Sequence, residues 1–181
     1  MYRTVVIDPP WPLADNKTRI PQKDRSSIYT RSIERPYTTL TLEEIIAFPI
    51  DELLDNDCIM WMWTPNINLH DAFHILEAWG FTYRSCLTWA KNRMGLGYWL
   101  RGKTEHCLLA TRGRPEWTNK TMSTLLEADI KGDSAKPVRF YQKIREFTPE
   151  PRIDIFARNS HYGFDGWGDE YVGDGPLADF L

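Results

Sequence analysis

The chain has 181 residues, 42% of them hydrophobic, and a formal net charge of −3. That length supports one compact domain with a full core, and no apolar run approaches the ~20 residues that a membrane-spanning helix requires. No charged stretch followed by an apolar one opens the chain, which fits a cytoplasmic protein, and the three scattered cysteines (Cys58, Cys86, Cys107) argue against a disulfide framework.

In chain order, Thr4-Val5-Val6-Ile7 reads as a buried strand running straight into Asp8-Pro9-Pro10-Trp11, where two prolines must end it. Residues 12–36 are polar and basic without a period and predict a long loop, which inside a compact domain is usually functional. Thr41-Leu42-Glu43-Glu44 predicts a capping box opening a short helix that Pro49 stops. Asp57 to Trp63 reads as a second strand, followed by a helix from about Ile67 to Trp79 that Gly80 closes. Tyr83–Trp89 and Glu105–Thr111 predict two further strands, and Gly95, Gly97 and Gly102 make the segment between them a flexible loop. Pro137 suits the first turn of a helix reaching Phe147. Arg152 to Phe156 is a last strong strand before a Gly- and Asp-rich end.

Strands alternating with helices predict an α/β fold with a mostly parallel sheet covered on both faces. Ligands of such sheets bind beyond the carboxyl ends of the strands. Two strands end in dense polar clusters there, Asp8 to Trp11 and Ala157 to His161, so these are the candidate walls of a site.

The modest net charge hides a sorted distribution. Lys17 to Arg35 holds six basic and two acidic residues, Arg84 to Lys120 eight basic and two acidic, and Pro36 to Trp79 eight acidic residues with no Lys or Arg. Such segregation can build a basic face for phosphates on an acidic protein, or simply a solvated surface. The eight tryptophans are mainly core, although aromatics beside basic residues also suit stacked bases.

Asp8-Pro9-Pro10-Trp11 has a chemistry of its own. Prolines donate no N–H, so their turn is expected to leave carbonyls as unopposed acceptors. Asp8 adds a carboxylate and Trp11 a flat face. Together they suit a planar –NH2 group on a ring, whose lone pair becomes available for attack once both N–H bonds are accepted. Neither metal nor covalent intermediate is required. A base inside a duplex cannot reach such a pocket, so it must be single-stranded or flipped out.

This tetrapeptide resembles the signature of the adenine-N6 methyltransferases related to the catalytic subunit of the mRNA adenosine methyltransferase. Further stretches are similar to that family's blocks, in its order: Glu34 to Leu40, Leu87 to Asn92, Gly102 to Leu108, Ser134 to Pro137, Ile155 to Arg158, and Trp167 to Glu170. The resemblance implies a Rossmann-like, S-adenosylmethionine-dependent methyltransferase fold in permuted order, with the catalytic strand first and the cofactor-binding strand late. It implies a methyltransferase domain over residues 1–171 and a tail over 172–181, with DNA or RNA as partner. A homodimer and a heterodimer with a related subunit are both compatible with it.

The resemblance also implies residue roles. Asp8 and the Pro9 carbonyl would hold the target amine, with Pro10 completing the turn and Trp11 and Tyr37 flanking the base. Asp8 would also meet the cofactor's amino group. Lys136 would pair with its carboxylate, Arg158 and Asn159 would approach its ribose, and Asp169 and Glu170 would accept hydrogen bonds near ribose and adenine. Lys91, Arg101, Lys103 and Glu105 would line or gate the substrate side. Asp169 stands where the family typically has Asn, and no G-x-G-x-x-G follows either end strand, so cofactor binding rests on the family pattern.

His70 and His74 have the spacing of a helical zinc site but no evident third ligand, and no metal is expected. Three other readings stand beside this one: a scaffold subunit that keeps the fold without catalysis, a cytosine-N4 methyltransferase, and a small-molecule methyltransferase. The intact tetrapeptide speaks against the first, Asp8 against the second, and the basic segments against the third.

Overall fold

The apolar run Val5-Val6-Ile7 offers water no polar face, and it lies fully buried inside a seven-stranded sheet. The computed structural model describes residues 1–12, 39–95, 99–118, 121–130, 135–168 and 171. From residue 13 on, the expected loop 12–36 lies outside the described residues, as do Tyr37, Asp169, Glu170 and the expected tail 172–181.

The elements are β1 (Tyr2–Ile7), α1 (Leu42–Ile46), β2 (Leu54–Thr64), α2 (Leu69–Ala78), β3 (Thr82–Lys91), β4 (Thr104–Arg112), β5 (Leu125–Ala128), α3 (Val138–Phe147), β6 (Arg152–Ile155) and β7 (Asp165–Trp167). The sheet order is β5-β3-β4-β2-β1-β6-β7. β1 pairs in parallel with β2 and β6, β6 with β7, and β3 with β5. Among the described strands only β4, antiparallel to both β2 and β3, runs against the rest.

Side chains alternate across this sheet with a period of two. Val5, Ile7, Met60, Met62, Ile153 and Ile155 point into a core shared with α1 and α2. Val6, Ile59, Trp61 and Trp63 point the other way and pack with Phe140, Tyr141 and Ile144 of α3. The sheet is thus covered on both faces, as the alternation of elements predicts.

Several boundaries differ from expectation. β2 begins at Leu54 because that residue pairs with Tyr2, so the polar Asp55-Asn56-Asp57 stretch belongs to the strand. The helix expected from Ile67 starts as a 3-10 turn at Asn66–Asn68 before α2, and Gly80 with φ 71 ends it. Pro137 is the N-cap of α3, one position ahead of the expected first turn. Thr41 caps α1 as predicted: its hydroxyl accepts from the Glu44 N–H, and Glu44 accepts from the Thr41 N–H. β5 and β7 were not expected at all. The described part of the segment expected as a loop between β3 and β4 holds no strand, and it is tied by Lys91 N–H to Lys103 O at 2.9 Å and Gly95 N–H to Gly102 O at 2.6 Å.

Candidate active site

Parallel strands leave the ends of their carbonyl ladders at one edge, where loops supply functional groups. Asp8 follows β1 at that edge, and Arg158 follows β6, which lies beside β1. Because β4 runs backwards, its first residues meet the same edge, and Glu105 pairs across the ladder with Trp89 near the end of β3. Lys136 arrives from the segment preceding α3.

These residues form a row of alternating charge. Lys136 Nζ lies 2.7 Å from Asp8 Oδ2 and 2.7 Å from Glu105 Oε1, and Lys91 Nζ lies 2.7 Å from Glu105 Oε2. The Lys136 side chain is 7% exposed and Glu105 11%, whereas Asp8 keeps 31% open to solvent. Charges held this far from water persist only when paired, and the row is internally neutral. Two rings back it: Lys136 Nζ sits 5.4 Å from the Trp63 ring centre and Lys91 Nζ 4.7 Å from that of Trp89.

The ionisation of each member follows from burial and partners. Burial alone would lower the Lys136 ammonium, but Asp8 and Glu105 outweigh it and hold the pKa above the usual lysine range. Burial alone would raise Glu105, but Lys136 and Lys91 pull it below the usual carboxylate value. Asp8 goes the other way: burial raises it and Glu105 adds to the rise, against the opposing pull of Lys136 and Arg158. The charge of Arg158 therefore acts on Asp8, which brings the two expected walls into one site.

The Asp8-Pro9-Pro10-Trp11 turn is held differently from expectation. Its carbonyls are not unopposed: Pro9 O accepts from the Trp11 N–H at 2.7 Å, and Pro10 O from the Leu40 N–H at 2.9 Å. A proline cannot donate, but its neighbours can, and each carbonyl keeps one further lone pair for a ligand. Trp11 is 6% exposed and packed into the core on the α1–α2 side, with its indole N–H donated to Trp63 O at 3.0 Å. It pins the turn to the end of β2, and little of its ring faces outward.

Lys91, Glu105, Lys136, Asp8 and Arg158 thus come together. Arg101 and Lys103 are exposed on the extended β3–β4 hairpin, and Asn159 is exposed on the loop after β6. Glu105, expected on the substrate side, is occupied by Lys136 and Lys91. The backbone at Gly168 passes so close to the β6 exit that a Cβ there would meet Ala157 O at 2.5 Å, which accounts for glycine after Trp167. Phe156, with φ 60, makes the turn out of β6.

Sequence reading missed a second polar group just behind Asp8. Asp154 of β6 is buried and accepts a hydrogen bond from the Tyr141 hydroxyl of α3. Burial pushes its carboxyl up to about 8, with Asp8 adding to the rise against Tyr141 and Lys136. The signal was a lone aspartate between Ile153 and Ile155 in a strand that is otherwise apolar.

The alternating row suits a zwitterion. Lys136 can take a carboxylate and Asp8 an ammonium group, and these are the two charges on the amino-acid end of S-adenosylmethionine.

The MT-A70 family profile matches residues 2–170. The chain is 27% identical over 178 residues to the type II methyltransferase M.MunI from a Mycoplasma species, covering 92% of this chain and 76% of that protein. It is 25% identical over 183 residues to an N(6)-adenosine-methyltransferase MT-A70-like protein of Arabidopsis thaliana, covering 95% and 24%. It is 27% identical over 167 residues to the human N(6)-adenosine-methyltransferase catalytic subunit METTL3, covering 87% and 26%. The chain therefore spans about three quarters of the first of these relatives and about a quarter of the other two. With the profile covering nearly its whole length, the chain belongs to the MT-A70 family.

Proposed function

We propose that this chain methylates the N6 amine of adenine in a nucleic acid, using S-adenosylmethionine bound at the carboxyl edge of β1 and β6. The observation that carries the reading is the Asp8–Lys136 pair at the end of the central strand, in a chain of the MT-A70 family. When bound, the cofactor supplies a methyl group activated by its sulfonium charge.

The residues divide the work. The Asp8 carboxylate and the spare lone pair of Pro9 O accept from the two N–H bonds of the amine, which localises its lone pair for attack. Pro10 and Trp11 hold that turn in place through Leu40 and Trp63. Lys136 trades its pairing with Asp8 for the cofactor carboxylate, and Asp8 then faces the cofactor's ammonium group. Arg158 and Asn159 approach the ribose, Asp169 and Glu170 the ribose and adenine, and Tyr37 flanks the target base. Lys91 and Glu105 form the wall towards the hairpin, where Arg101 and Lys103 meet phosphates of the substrate strand. The target base enters extruded or single-stranded. With the catalytic strand first and its neighbour β6 late, the order of elements is the permuted one of a Rossmann-like methyltransferase.

Relatives named for adenosine methylation and a type II methyltransferase both match, so the polymer is decided by experiment. Isotope-labelled S-adenosylmethionine should label N6-methyladenine in one of four polymers: single- or double-stranded DNA or RNA. Arg101→Glu should weaken polymer binding and its salt dependence without changing cofactor affinity. Label appearing on cytosine, or on no polymer while the cofactor still binds, would defeat this reading.

A further inference from the structure

The loop between β6 and β7 carries Arg158 and Asn159, and Arg145 of α3 holds its outer side, lying 4.7 Å from the Tyr162 ring centre and donating to Tyr162 O at 3.5 Å. Asn159, Ser160 and Tyr162 are exposed, Tyr162 by 85%. His161 alone among these neighbours turns inward, and only 17% of its side chain remains open. Its ring lies flat on Tyr141 of α3, with centroids 3.4 Å apart and planes 12° from parallel. Its Nε2 is 3.9 Å from Asp154 Oδ2, and the Tyr141 hydroxyl hydrogen-bonds that same carboxyl.

Three polar groups from three elements thus converge in a core otherwise built from Trp61, Trp63, Phe140 and Phe164. An apolar trio would fill that volume without the desolvation penalty of a buried carboxyl. What a satisfied polar cluster adds is a single defined arrangement. The chain on either side is already constrained: Ala157 N–H donates to Trp167 O at 2.9 Å, and Phe164 N–H to His161 O at 3.0 Å. His161 adds an inward hold on the stretch between, beside that of Arg145 on Tyr162. On β1, Val6 is the register partner of Asp154, and Asp8 lies two residues beyond Val6 on the same face.

We propose that Tyr141, Asp154 and His161 form a clamp that positions the β6–β7 loop for cofactor binding, making them positioning residues for a site they do not line. This rests on the placing of S-adenosylmethionine at the β6 edge. The groups facing Asp154 are Tyr141 from α3, His161 from the loop, Asp8 after β1 and Lys136 before α3.

Calorimetric titration with S-adenosylmethionine, paired with methyl-transfer kinetics, tests this. Tyr141→Phe and His161→Ala should each raise the cofactor Kd about tenfold and leave kcat at saturating cofactor within about twofold. His161→Phe keeps the stacked ring and should recover most of the affinity. Asp154→Asn keeps a polar group facing the Tyr141 hydroxyl and should bind the cofactor normally at pH 7. Folded Tyr141→Phe and His161→Ala variants with unchanged Kd would overturn the clamp alone. Failure of the unmodified protein to bind the cofactor would overturn both the clamp and the site on which it rests.

Discussion

Removing the Lys136 charge while keeping its bulk, as in Lys136→Met, takes a partner from two carboxylates and strands one of them. Glu105 retains Lys91 at 2.7 Å, but Asp8 loses its 2.7 Å partner. Breaking a buried ion pair from one side costs about 3–5 kcal/mol; the solvent-open part of Asp8 places this case at the lower end. At about 2–4 °C per kcal/mol for a chain of this size, the melting temperature should fall by roughly 10 °C at pH 7. The pH dependence has a definite sign. Glu105 has a lowered carboxyl in the fold, so its pairing stabilises above its unfolded pKa and is lost as pH falls through the folded value. The penalty of Lys136→Met should therefore shrink below pH 4.5, where both carboxylates take up protons. Glu105→Leu alone would leave Lys136 to Asp8, and the double variant should lose less than the two single losses summed, by more than about 1 kcal/mol. Urea unfolding of all four proteins at pH 7 and pH 4 reads this directly. A single-variant loss below about 1 kcal/mol, or strict additivity, would refute the row as a coupled unit.

Two further outcomes follow from neighbouring residues. Asp154 titrates at about 8 in the fold against 3.8 ordinarily. The folded protein therefore holds a proton that the unfolded chain releases, and stability falls as pH rises between those values by up to about 1.4 kcal/mol per unit. Asp154→Asn should raise the melting temperature at pH 8 relative to its effect at pH 4; a pH-independent difference would contradict the raised carboxyl. Trp11→Phe deletes the N–H donated to Trp63 O and strands that carbonyl, at a cost of about 1–3 kcal/mol in urea unfolding. It should also lower kcat through a looser turn, and unchanged values for both would show that Trp11 does not hold the turn.

The central strand and its polar end were legible because Val5-Val6-Ile7 followed by two prolines admits few other readings. β5 was not, because Leu125-Leu126-Glu127-Ala128 favours helix locally and becomes a strand only by pairing with the edge of β3. β7, Asp165-Gly166-Trp167, lacks any apolar run and owes its pairing to β6. The reversed β4 had a signal that went unread: the stretch from Asn92 to Lys103 has no helical period, and so short a connection returns a strand antiparallel. Asp8 and Lys136 were legible as motif members. Their alternation with Glu105 and Lys91 was not, because those contacts join β1, β3, β4 and the entry to α3. The carbonyls of the proline turn were misjudged for a local reason: Trp11 and Leu40 donate where proline cannot.

The most direct measurement is nucleoside analysis of adenine-containing polymers incubated with labelled S-adenosylmethionine and either the unmodified protein or Asp8→Asn, with cofactor affinity measured on both. The account predicts N6-methyladenine from the unmodified protein and, at saturating cofactor, at least a hundredfold less from the variant, which should also bind the cofactor more weakly because the ammonium group loses its carboxylate. Equal product from both proteins would show that Asp8 does not hold the amine and would contradict the assignment of the site.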